Sequence, residues 1–359
     1  MKSRAHLVIQ TAFLGDLILS IPWLSRLRKI SNEQQIVLVC KKGLGEYFLK
    51  EKIVDQVYEV TKGDRSIYQK IVKSLNEQYE IENLFCVHRS TRSLLFANQI
   101  QAKRKIGFSS FLGFWIFDDI VNYEVAWPDP LRQWNLLSVV DSESSYKLLE
   151  QDWQKLNSKQ RDASLPKVPT FFQFPIKNKF QKTDLKKVAL FPGSVWATKK
   201  WTEDGFIELA KRLSSLDYQI EIMGGPEEKE LAARICDQIP NARNLAGQLS
   251  LTDSIYHLRG CSLVISNDSA PTHMASCENI PVVSIFGPTT LDLGFRPWSN
   301  QSRIAEINLS CRPCGKHGHH QCPLGHHRCM KNLLVDQVFA ECIELLKTNS
   351  NFNLSSPSR

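Results

Sequence analysis

The sequence lacks the features that would place it in several common protein classes. Its apolar runs fall short of the roughly 18 residues that a membrane-spanning helix needs. It has no dense Lys/Arg stripe or nucleic-acid-binding motif, which disfavours nucleic acid as a partner. No G-x-G-x-x-G follows the first predicted strand, so a dehydrogenase is also disfavoured. Because the basic amino terminus has no small-residue cleavage site, we interpret residues 5–10 as a strand and not as part of a secretion signal.

The composition is typical of a folded protein with anionic partners. Hydrophobic residues make up 42% of the 359 residues and charged residues 23%. A chain of this length exceeds one ordinary core, so two domains are expected. The net charge of +8 favours nucleotides, phosphorylated glycans or membrane headgroups as partners. With no export signal, the ten cysteines are expected to be reduced thiols in the cytoplasm.

Short β-rich runs alternate with amphipathic helical stretches in both halves of the chain. This alternation predicts α/β domains with parallel sheets covered by helices. The polar, proline-containing stretch between about 150 and 186 is interpreted as the linker. We therefore predict an N-terminal Rossmann-like domain over 1–165, a C-terminal one over 166–347 and a tail over 348–359. Such sheets bind ligands at the carboxyl ends of their strands, which predicts a cleft between two facing domains.

Ligand-type residues directly follow four predicted strands of the second half. The loops read FPGSVWATKKW after 187–191, MGGPEEKE after 218–223, SNDSAPTHMAS after 261–266 and FGPTT after 281–286. Glycines, hydroxyls, lysines and helix starts of this kind suit a diphosphate. Each loop alone is explained as well by an ordinary turn. Four of them on one sheet edge favour a nucleotide site.

The turn after the first strand holds a single glycine followed by an acid. It lies in TAFLGDLILSIP at 11–22, and a helix is predicted over 17–30. With too few glycines to cradle a pyrophosphate, this turn makes the Asp16 carboxylate a candidate functional group at the end of the first strand. Because a helix N-terminus favours negative charge, we expect Asp16 to be ionised and weakly basic. A plain helix cap is the alternative, and one carboxylate could serve both purposes.

Taken in order, these motifs resemble glycosyltransferase family 9, the heptosyltransferases of the lipopolysaccharide inner core. The matching stretches are FLGDLILSIPWLSRLR, FPGSVWATKKW, IMGGPEEKE, LAGQLSLTD and SNDSAPTHMAS through PVVSIFGPT. The block CRPC…CPLGHHRCM looks closer to the type II enzymes than to type I. The resemblance implies a GT-B fold and inverting, metal-independent transfer of heptose from ADP-L-glycero-D-manno-heptose.

The resemblance also implies roles for individual residues. Asp16 matches the family's catalytic base. Lys200 matches the lysine that contacts the donor diphosphate, whereas its neighbour Lys199 has no clear counterpart. Ala270 stands where the family commonly has glycine, which is a mild departure. The other implied donor-binding residues are Ser194, Thr198, Glu227, Glu228, Asp268, Ser269 and His273.

The acceptor side carries weaker signals. His88, Arg89 and Arg92 follow the strand at 82–87 and suit an anionic acceptor, lipid A bearing Kdo or a heptosylated core. A solvated helix start explains them equally well. The run FLGFWIF at 111–117 is either a membrane-surface loop or part of the core, and burial is favoured. The implied location is the cytoplasm, at the inner face of the cytoplasmic membrane.

The carboxyl-terminal part holds a block of cysteines and histidines between 311 and 329. The C-x2-C spacing of Cys311 and Cys314 is typical of zinc knuckles, and Cys322 and Cys329 could complete a tetrahedral site. The later spacing is not a standard pair, and the resemblance implies chemistry without metal. Packed, reduced thiols are therefore favoured over structural zinc, and no required cofactor is expected.

Other functions stay open on the sequence alone. A family 9 transferase with another donor or acceptor fits the same motifs. A nucleotide-sugar epimerase of the same architecture also fits and would need no glycan acceptor. A non-catalytic nucleotide-binding protein is disfavoured by the intact Asp16 and Lys200.

Overall fold

A computed structural model describes residues 2–150, 168–175 and 186–349. These residues form two compact units, one with 2–150 and 169–175 and the other with 168 and 186–349. The predicted boundary between 165 and 166 and the tail beyond 349 lie outside the described residues. Residues 169–175 pack with the first unit, although the predicted second domain includes them.

The first unit contains six strands and eight α-helices among its described residues. The strands are β1 (Ser3–Ile9), β2 (Gln35–Lys41), β3 (Gln56–Val60), β4 (Tyr79–Cys86), β5 (Arg104–Phe108) and β6 (Asp119–Val121). The helices are α1 (Leu14–Ile18), α2 (Ile21–Ile30), α3 (Glu46–Lys50), α4 (Arg65–Gln78), α5 (Thr91–Asn98), α6 (Gly113–Ile116), α7 (Asp129–Trp134) and α8 (Ser142–Leu149). Short 3-10 helices span Asn135–Val139 and Thr170–Phe172.

The second unit repeats this alternation over its described residues. The strands are β7 (Lys187–Phe191), β8 (Gln219–Ile222), β9 (Arg243–Asn244), β10 (Leu263–Asn267), β11 (Val282–Ile285) and β12 (Ser302–Ala305). The helices are α9 (Glu203–Ser214), α10 (Lys229–Cys236), α11 (Leu251–Leu258), α12 (Ala270–Cys277), α13 (Arg328–Lys331) and α14 (Val335–Asn349). Short 3-10 helices span Ala197–Lys199, Pro226–Glu228 and Leu291–Leu293.

Both sheets are fully parallel and have the same connectivity. Their strand orders are β3-β2-β1-β4-β5-β6 and β9-β8-β7-β10-β11-β12. This is the Rossmann strand order, so the predicted α/β class and the pair of Rossmann-like sheets are confirmed. The winding reverses between β1 and β4 in the first sheet and between β7 and β10 in the second. Ligands of such folds bind outside the carboxyl ends of the strands at these reversals.

The central strands explain why both units form. β1 and β10 both contain the apolar run LVI, and all of these residues are buried. Continuous apolar runs are typical of parallel strands that helices cover on both faces. Full burial of each such aliphatic side chain contributes about 1.5–3 kcal/mol. Polar residues come directly after these runs, so each core ends where the candidate site residues begin.

The helix predicted over 17–30 is interrupted. α1 ends at Ile18, α2 begins at Ile21, and Pro22 is the second residue of α2. Proline has no N–H to donate, and its ring clashes with the carbonyl four residues earlier, which here belongs to Ile18. The break leaves α1 as a short helix that holds Asp16 in its first turn, just beyond the carboxyl end of β1.

The aromatic run at 111–117 is divided between surface and core, so its favoured interpretation as core was wrong for its three exposed aromatic side chains. Phe111 is 83% exposed, Phe114 64% and Trp115 84%, whereas Phe117 is buried. The reason is geometric, because α6 is a single turn and residues three and four apart share its outward face. The described part of the chain contains no helix long and apolar enough to cross a membrane.

Candidate functional site

The carboxylate of Asp16 caps its own helix at the edge of the first sheet. Its Oδ2 accepts a hydrogen bond from the backbone N–H of Phe13 at 3.2 Å. The side chain is only half-buried, so a substrate can reach it. The same group can therefore be both the helix cap and the candidate base.

Asp16 holds a proton more tightly than an ordinary aspartate. Burial raises its pKa to about 7, and the negative charge of Asp129 acts in the same direction. Backbone hydrogen bonds and Lys41 oppose this rise. The expectation that Asp16 is ionised and weakly basic was wrong. Burial raises its pKa by more than the N-terminus of a short helix lowers it. A pKa near neutrality suits a group that must accept a proton at physiological pH.

His88 lies at the same edge, directly after β4. Its Nδ1 is hydrogen-bonded to the hydroxyls of Thr11 at 2.9 Å and Ser93 at 3.2 Å. Burial lowers the pKa of His88 to about 4, helped by the positive charges of Lys41 and Arg92. His88 is therefore neutral at pH 7 and links the turn after β1 to the start of α5.

Cations and aromatic rings line this edge beside Asp16. The Arg89 guanidinium lies 4.2 Å from the centroid of the Tyr123 ring, and Lys41 Nζ lies 4.1 Å from that of Phe13. Arg89 and Arg92 are exposed. Arginine forks suit phosphate and carboxylate groups, and aromatic faces suit sugars and cations. Sequence reasoning assigned no role to Lys41 or Tyr123, although Lys41 ends a strand in the run VLVCKK.

Asn267 ties together two loops at the edge of the second sheet. It is fully buried at the end of β10, and its Oδ1 accepts from the backbone N–H of Trp201 at 2.9 Å. Its Nδ2 donates to the carbonyls of Pro192 at 2.9 Å and Gly193 at 3.1 Å. Sequence reasoning noticed Asn267 beside Asp268 but assigned it no role. Its hydrogen bonds hold the loop after β7 against the end of β10.

The structure brings Lys199, and not Lys200, to Asp268. Lys199 Nζ lies 2.6 Å from Asp268 Oδ2, and both side chains are largely shielded from water. The Thr289 hydroxyl donates to the same oxygen at 2.6 Å. Lys200 forms no ion pair with any described residue. The sequence analysis favoured Lys200 over Lys199, and the 3-10 turn that ends at Lys199 directs the two neighbouring side chains differently.

His273 presents an open nitrogen in the first half of α12. The residue is buried, and its Nδ1 has no hydrogen-bond partner within the described residues. Burial lowers the pKa of His273 to about 4, opposed by Asp268 and supported by Lys199. The ring is therefore neutral at pH 7. Buried polar atoms are normally paired, so this nitrogen is available to a ligand.

The predicted hydroxyl residues do not act together. Thr198 is buried, and its Oγ1 bonds to both the carbonyl of His319 at 2.9 Å and its N–H at 2.7 Å. Ser269 is the N-cap residue of α12 and donates to the Asn267 carbonyl at 3.2 Å. Ser194 is partly exposed on the loop after β7. Thr198 therefore anchors the loop after β7 to His319. Of the three hydroxyl residues, only Ser194 and Ser269 are accessible to a ligand.

The two acids after β8 differ in their surroundings. Glu228 packs so closely against Gly193 that a Cβ built there would lie 2.5 Å from the Glu228 side chain. Its Oε2 also accepts from the Gly225 N–H at 2.8 Å. Glu227 is exposed. Only glycine at 193 allows this approach, which places Glu228 beside the loop after β7.

The Cys/His block at 311–329 packs against the same loops. The N–H of Cys314 donates to the Pro288 carbonyl at 2.8 Å. His327 Nε2 lies 2.8 Å from the carbonyl of Thr198, and the ring of His317 stacks on Trp196 with centroids 5.3 Å apart. The block therefore packs against the loops after β7 and β11 and is hydrogen-bonded to both.

The thiols of this block lie near enough to raise one another's pKa, but within the described residues no three of them have sulfurs that all lie within 4.8 Å of one another. Four sulfurs around zinc lie about 3.8 Å apart, from Zn–S bonds of about 2.3 Å. Among the described residues, the group whose ligand atoms all lie within 4.8 Å of one another is elsewhere, at Glu221, His257 and Cys261. Glu221 is already paired with His257 at 2.6 Å and with Arg243 at 3.1 Å. None of the ten cysteines is in a disulfide.

Arg296 is a buried cation that sequence reasoning missed. It lies between β11 and β12, and its Nη1 has no hydrogen-bond partner in the described part of the chain. Burial lowers the pKa of Arg296 to about 10. An unpaired buried charge is costly, and a bound anion would relieve that cost. The surrounding GFRPW gives no pattern from which this could be predicted.

The chain matches a protein family over most of its length. The family described as glycosyltransferase family 9 (heptosyltransferase) matches residues 69–326. The chain belongs to glycosyltransferase family 9. The resemblance inferred from the motifs is therefore confirmed.

Relatives within family 9 include type II heptosyltransferases. Lipooligosaccharide heptosyltransferase 2 of Campylobacter jejuni serotype O:6 is 34% identical over 185 residues, which are 48% of this chain and 57% of that protein. The chain thus spans only about half the length of the curated relatives it matches.

Solved structures of the family have the same fold. Escherichia coli ADP-heptose LPS heptosyltransferase II aligns with a TM-score of 0.72 and 20% identity, covering 96% of this chain and 99% of that one. A family 9 protein from Veillonella parvula aligns with a TM-score of 0.76 and 19% identity, covering 97% and 98%. These similarities establish the GT-B fold class.

Proposed function

We propose that this family 9 protein transfers heptose from ADP-L-glycero-D-manno-heptose to the lipopolysaccharide inner core, as a type II heptosyltransferase. The observation that carries the proposal is Asp16, a half-buried carboxylate with a pKa of about 7 at the strand reversal of the first sheet. Similarity to heptosyltransferases named type 2 supports the choice of donor and acceptor.

The proposed reaction is a single displacement that inverts the anomeric carbon. An acceptor hydroxyl attacks that carbon while Asp16 takes the hydroxyl proton. The new C–O bond forms as the bond to the diphosphate breaks, and ADP departs with the bonding electron pair. A base with a pKa of about 7 is half ionised at pH 7 and largely ionised at pH 8, so the rate should rise over this range.

The donor is assigned to the carboxyl edge of the second sheet. Lys199 is the cation proposed for the diphosphate, in place of Lys200, because Asp268, itself bonded by Thr289, holds it in the loop cluster. Asp268 fixes Lys199 and can accept from a sugar hydroxyl. The open nitrogen of neutral His273 can bond to the donor without adding charge. Further donor contacts are proposed for Ser194, Glu227, Glu228 and Ser269.

The acceptor is assigned to the carboxyl edge of the first sheet. Lys41 offers positive charge beside Asp16, Arg92 beside His88 and Arg89 beside Tyr123, which suits the phosphates and carboxylates of a Kdo-bearing or heptosylated core. Neutral His88 can hydrogen-bond to a sugar hydroxyl. No step of this mechanism needs a metal, and the proposal is metal-independent transfer.

A membrane surface is the proposed location, at the inner face of the cytoplasmic membrane. The exposed face of α6 and its flank presents Phe111, Phe114 and Trp115, which are side chains that favour a lipid interface. We expect the wild-type protein to sediment with phosphatidylglycerol vesicles and the F111S/F114S/W115S variant to do so much less. Leu149→Ser, at another exposed apolar position, is the matched control. Equal binding by the triple variant would exclude this face.

The function is tested by incubating purified protein with ADP-heptose and core acceptors that lack successive heptoses. Mass spectrometry should detect one added heptose on the acceptor that already carries one, together with released ADP. Addition only to a heptose-free acceptor would indicate type I activity. Isomerised donor in a reaction without acceptor would favour the epimerase, and no product from any acceptor would contradict the proposal.

A further inference from the structure

The side-chain amide of Gln133 joins three helices of the first unit. Its Nε2 donates to the Asp16 carbonyl at 3.0 Å and to Asp129 Oδ2 at 2.6 Å. Its Oε1 accepts from the Ser20 hydroxyl at 2.7 Å and from Trp23 Nε1 at 3.3 Å. Gln133 is buried, so loss of any of these bonds would leave a polar group unpaired. The amide therefore links Asp129 directly to the backbone that carries Asp16.

Asp129 is a buried carboxylate whose ionised form the fold compensates poorly. It is buried, and the guanidinium beside it, that of Arg132, comes no closer than 3.9 Å. That guanidinium is shared with the Glu124 carbonyl at 3.1 Å and the Tyr123 hydroxyl at 3.3 Å. Asparagine at 129 could accept the same bond from Gln133. A carboxylate at this position therefore adds negative charge that only the 3.9 Å pair with Arg132 offsets, and perturbed carboxylates of this kind cluster at functional sites.

The charges around Asp16 come from several elements. Burial raises the pKa of Asp129 itself, while Arg132 and the bond from Gln133 oppose that rise. Lys41, at the end of β2, stabilises the ionised form of Asp16 and so acts against Asp129. Arg132 lies beside Asp129 and Tyr123, Arg89 lies beside Tyr123, and Lys62 lies near Lys41. Within the described residues, these four groups complete the set of charged and titratable neighbours that affect the pKa values of Asp16 and Asp129.

We propose that Asp129 is a positioning residue for Asp16: Gln133 holds its charge behind the candidate base, which keeps Asp16 able to accept a proton near neutral pH. The inference deepens the proposed function and rests on the role of Asp16 as base. When two neighbouring titratable groups have different surroundings, their pKa values differ, so that one can accept a proton while the other supplies charge. Removal of the Asp129 charge should therefore lower the pKa of Asp16 and make it a weaker base.

The direct test is an NMR titration of protein labelled at the aspartate carboxyl carbon. The signal that disappears in D16N belongs to Asp16, and we expect its midpoint near pH 7 in the wild type. In D129N the midpoint should fall by about one unit or more, a tenfold change in proton affinity. The acidic limb of the kcat/KM profile should move by the same amount, and D129E should restore both. An unmoved midpoint in D129N would overturn the proposal.

Lys41→Met is a second variant of opposite sign, which keeps the proposal testable if D129N does not fold. Loss of this cation should raise the Asp16 midpoint and move the acidic limb to higher pH. Lys42→Met, at the exposed neighbour, is the matched control and should move neither. An unmoved Asp16 midpoint in K41M would show that neighbouring charges do not set the pKa of Asp16, and would count against the proposal. If the wild type shows no transfer but the midpoints move as expected, the proposed function fails, and only the effect of the Asp129 charge on the pKa of Asp16 is established.

Discussion

Replacement of Asp16 by asparagine should stabilise the protein at pH 8 while it removes the proton acceptor. The pKa of this carboxyl is 3.8 without perturbation and about 7 in the folded protein. Since folding raises the pKa of an acid, ionisation is more costly in the folded state than in the unfolded chain. That cost is absent well below pH 4, grows as the pH rises towards 7 and is complete above it.

The magnitude follows from the size of the shift. About three pKa units correspond to a ceiling of about 4 kcal/mol, at about 1.36 kcal/mol per unit. Because Asp16 is partly exposed, solvent screens part of this, and we expect D16N to gain about 1–2 kcal/mol in the free energy of unfolding at pH 8. The melting temperature should rise by roughly 2–8 °C. Asparagine keeps an oxygen that can accept from the Phe13 N–H, so the helix cap is retained.

The assay is urea unfolding of the wild type and D16N at pH 4 and pH 8. Asp64→Asn is a control of opposite sign, because hydrogen bonds from Ser66 and Ile67 lower the pKa of Asp64. Its stabilising effect is present above the unfolded pKa and is lost as the pH falls, so D64N should be less stable than the wild type at pH 8. The reasoning would be refuted by a D16N variant that gains nothing at pH 8 or gains equally at pH 4.

Further predictions concern the second unit and the absence of a metal requirement. Lys199→Met should weaken ADP binding by about 10- to 100-fold in calorimetry, whereas Lys200→Met should change it little; the reverse order would restore Lys200 as the diphosphate ligand. Thr198→Val should cost about 1–3 kcal/mol in the free energy of unfolding, because the buried hydroxyl bonds to His319 in both directions. Dialysis against EDTA should leave the transfer rate unchanged, and a loss that zinc restores would contradict metal independence.

Sequence reasoning located the edges of both sheets because the relevant residues directly follow strands in the chain. Asp16 comes soon after β1, and Asp268 directly follows β10. Strand ends can be found from local apolar patterns, and the carboxyl ends of parallel strands share one edge. The family and the fold class were therefore accessible from local motifs, and both are confirmed.

Residues that act over long sequence separations could not be found in this way. Gln133 lies 117 positions from Asp16, with which it shares a hydrogen bond, and α7 is too short to show a helical period. Its buried polar residues look like a surface turn in the sequence. Thr198 was assigned to the donor because its neighbours suggested a phosphate loop, yet it bonds to His319, 121 positions away. In both cases tertiary packing decides what the side chain does.

The same limit explains the proton affinity of Asp16. A carboxylate at a helix N-terminus is expected to be ionised when only neighbouring residues are considered. Burial and the charge of Asp129 come from packing of a distant segment, and they reverse that expectation. The raised pKa changes Asp16 from a weak base into a group suited to proton transfer near neutral pH.

The central claim, that Asp16 accepts the acceptor proton, is tested most directly by the transfer rate of D16N under donor and acceptor saturation. The account predicts that D16N binds ADP as the wild type does and that its kcat falls by about 100-fold or more, in line with loss of general base catalysis. A D16N enzyme that binds ADP normally and transfers heptose at a rate close to that of the wild type would contradict the account.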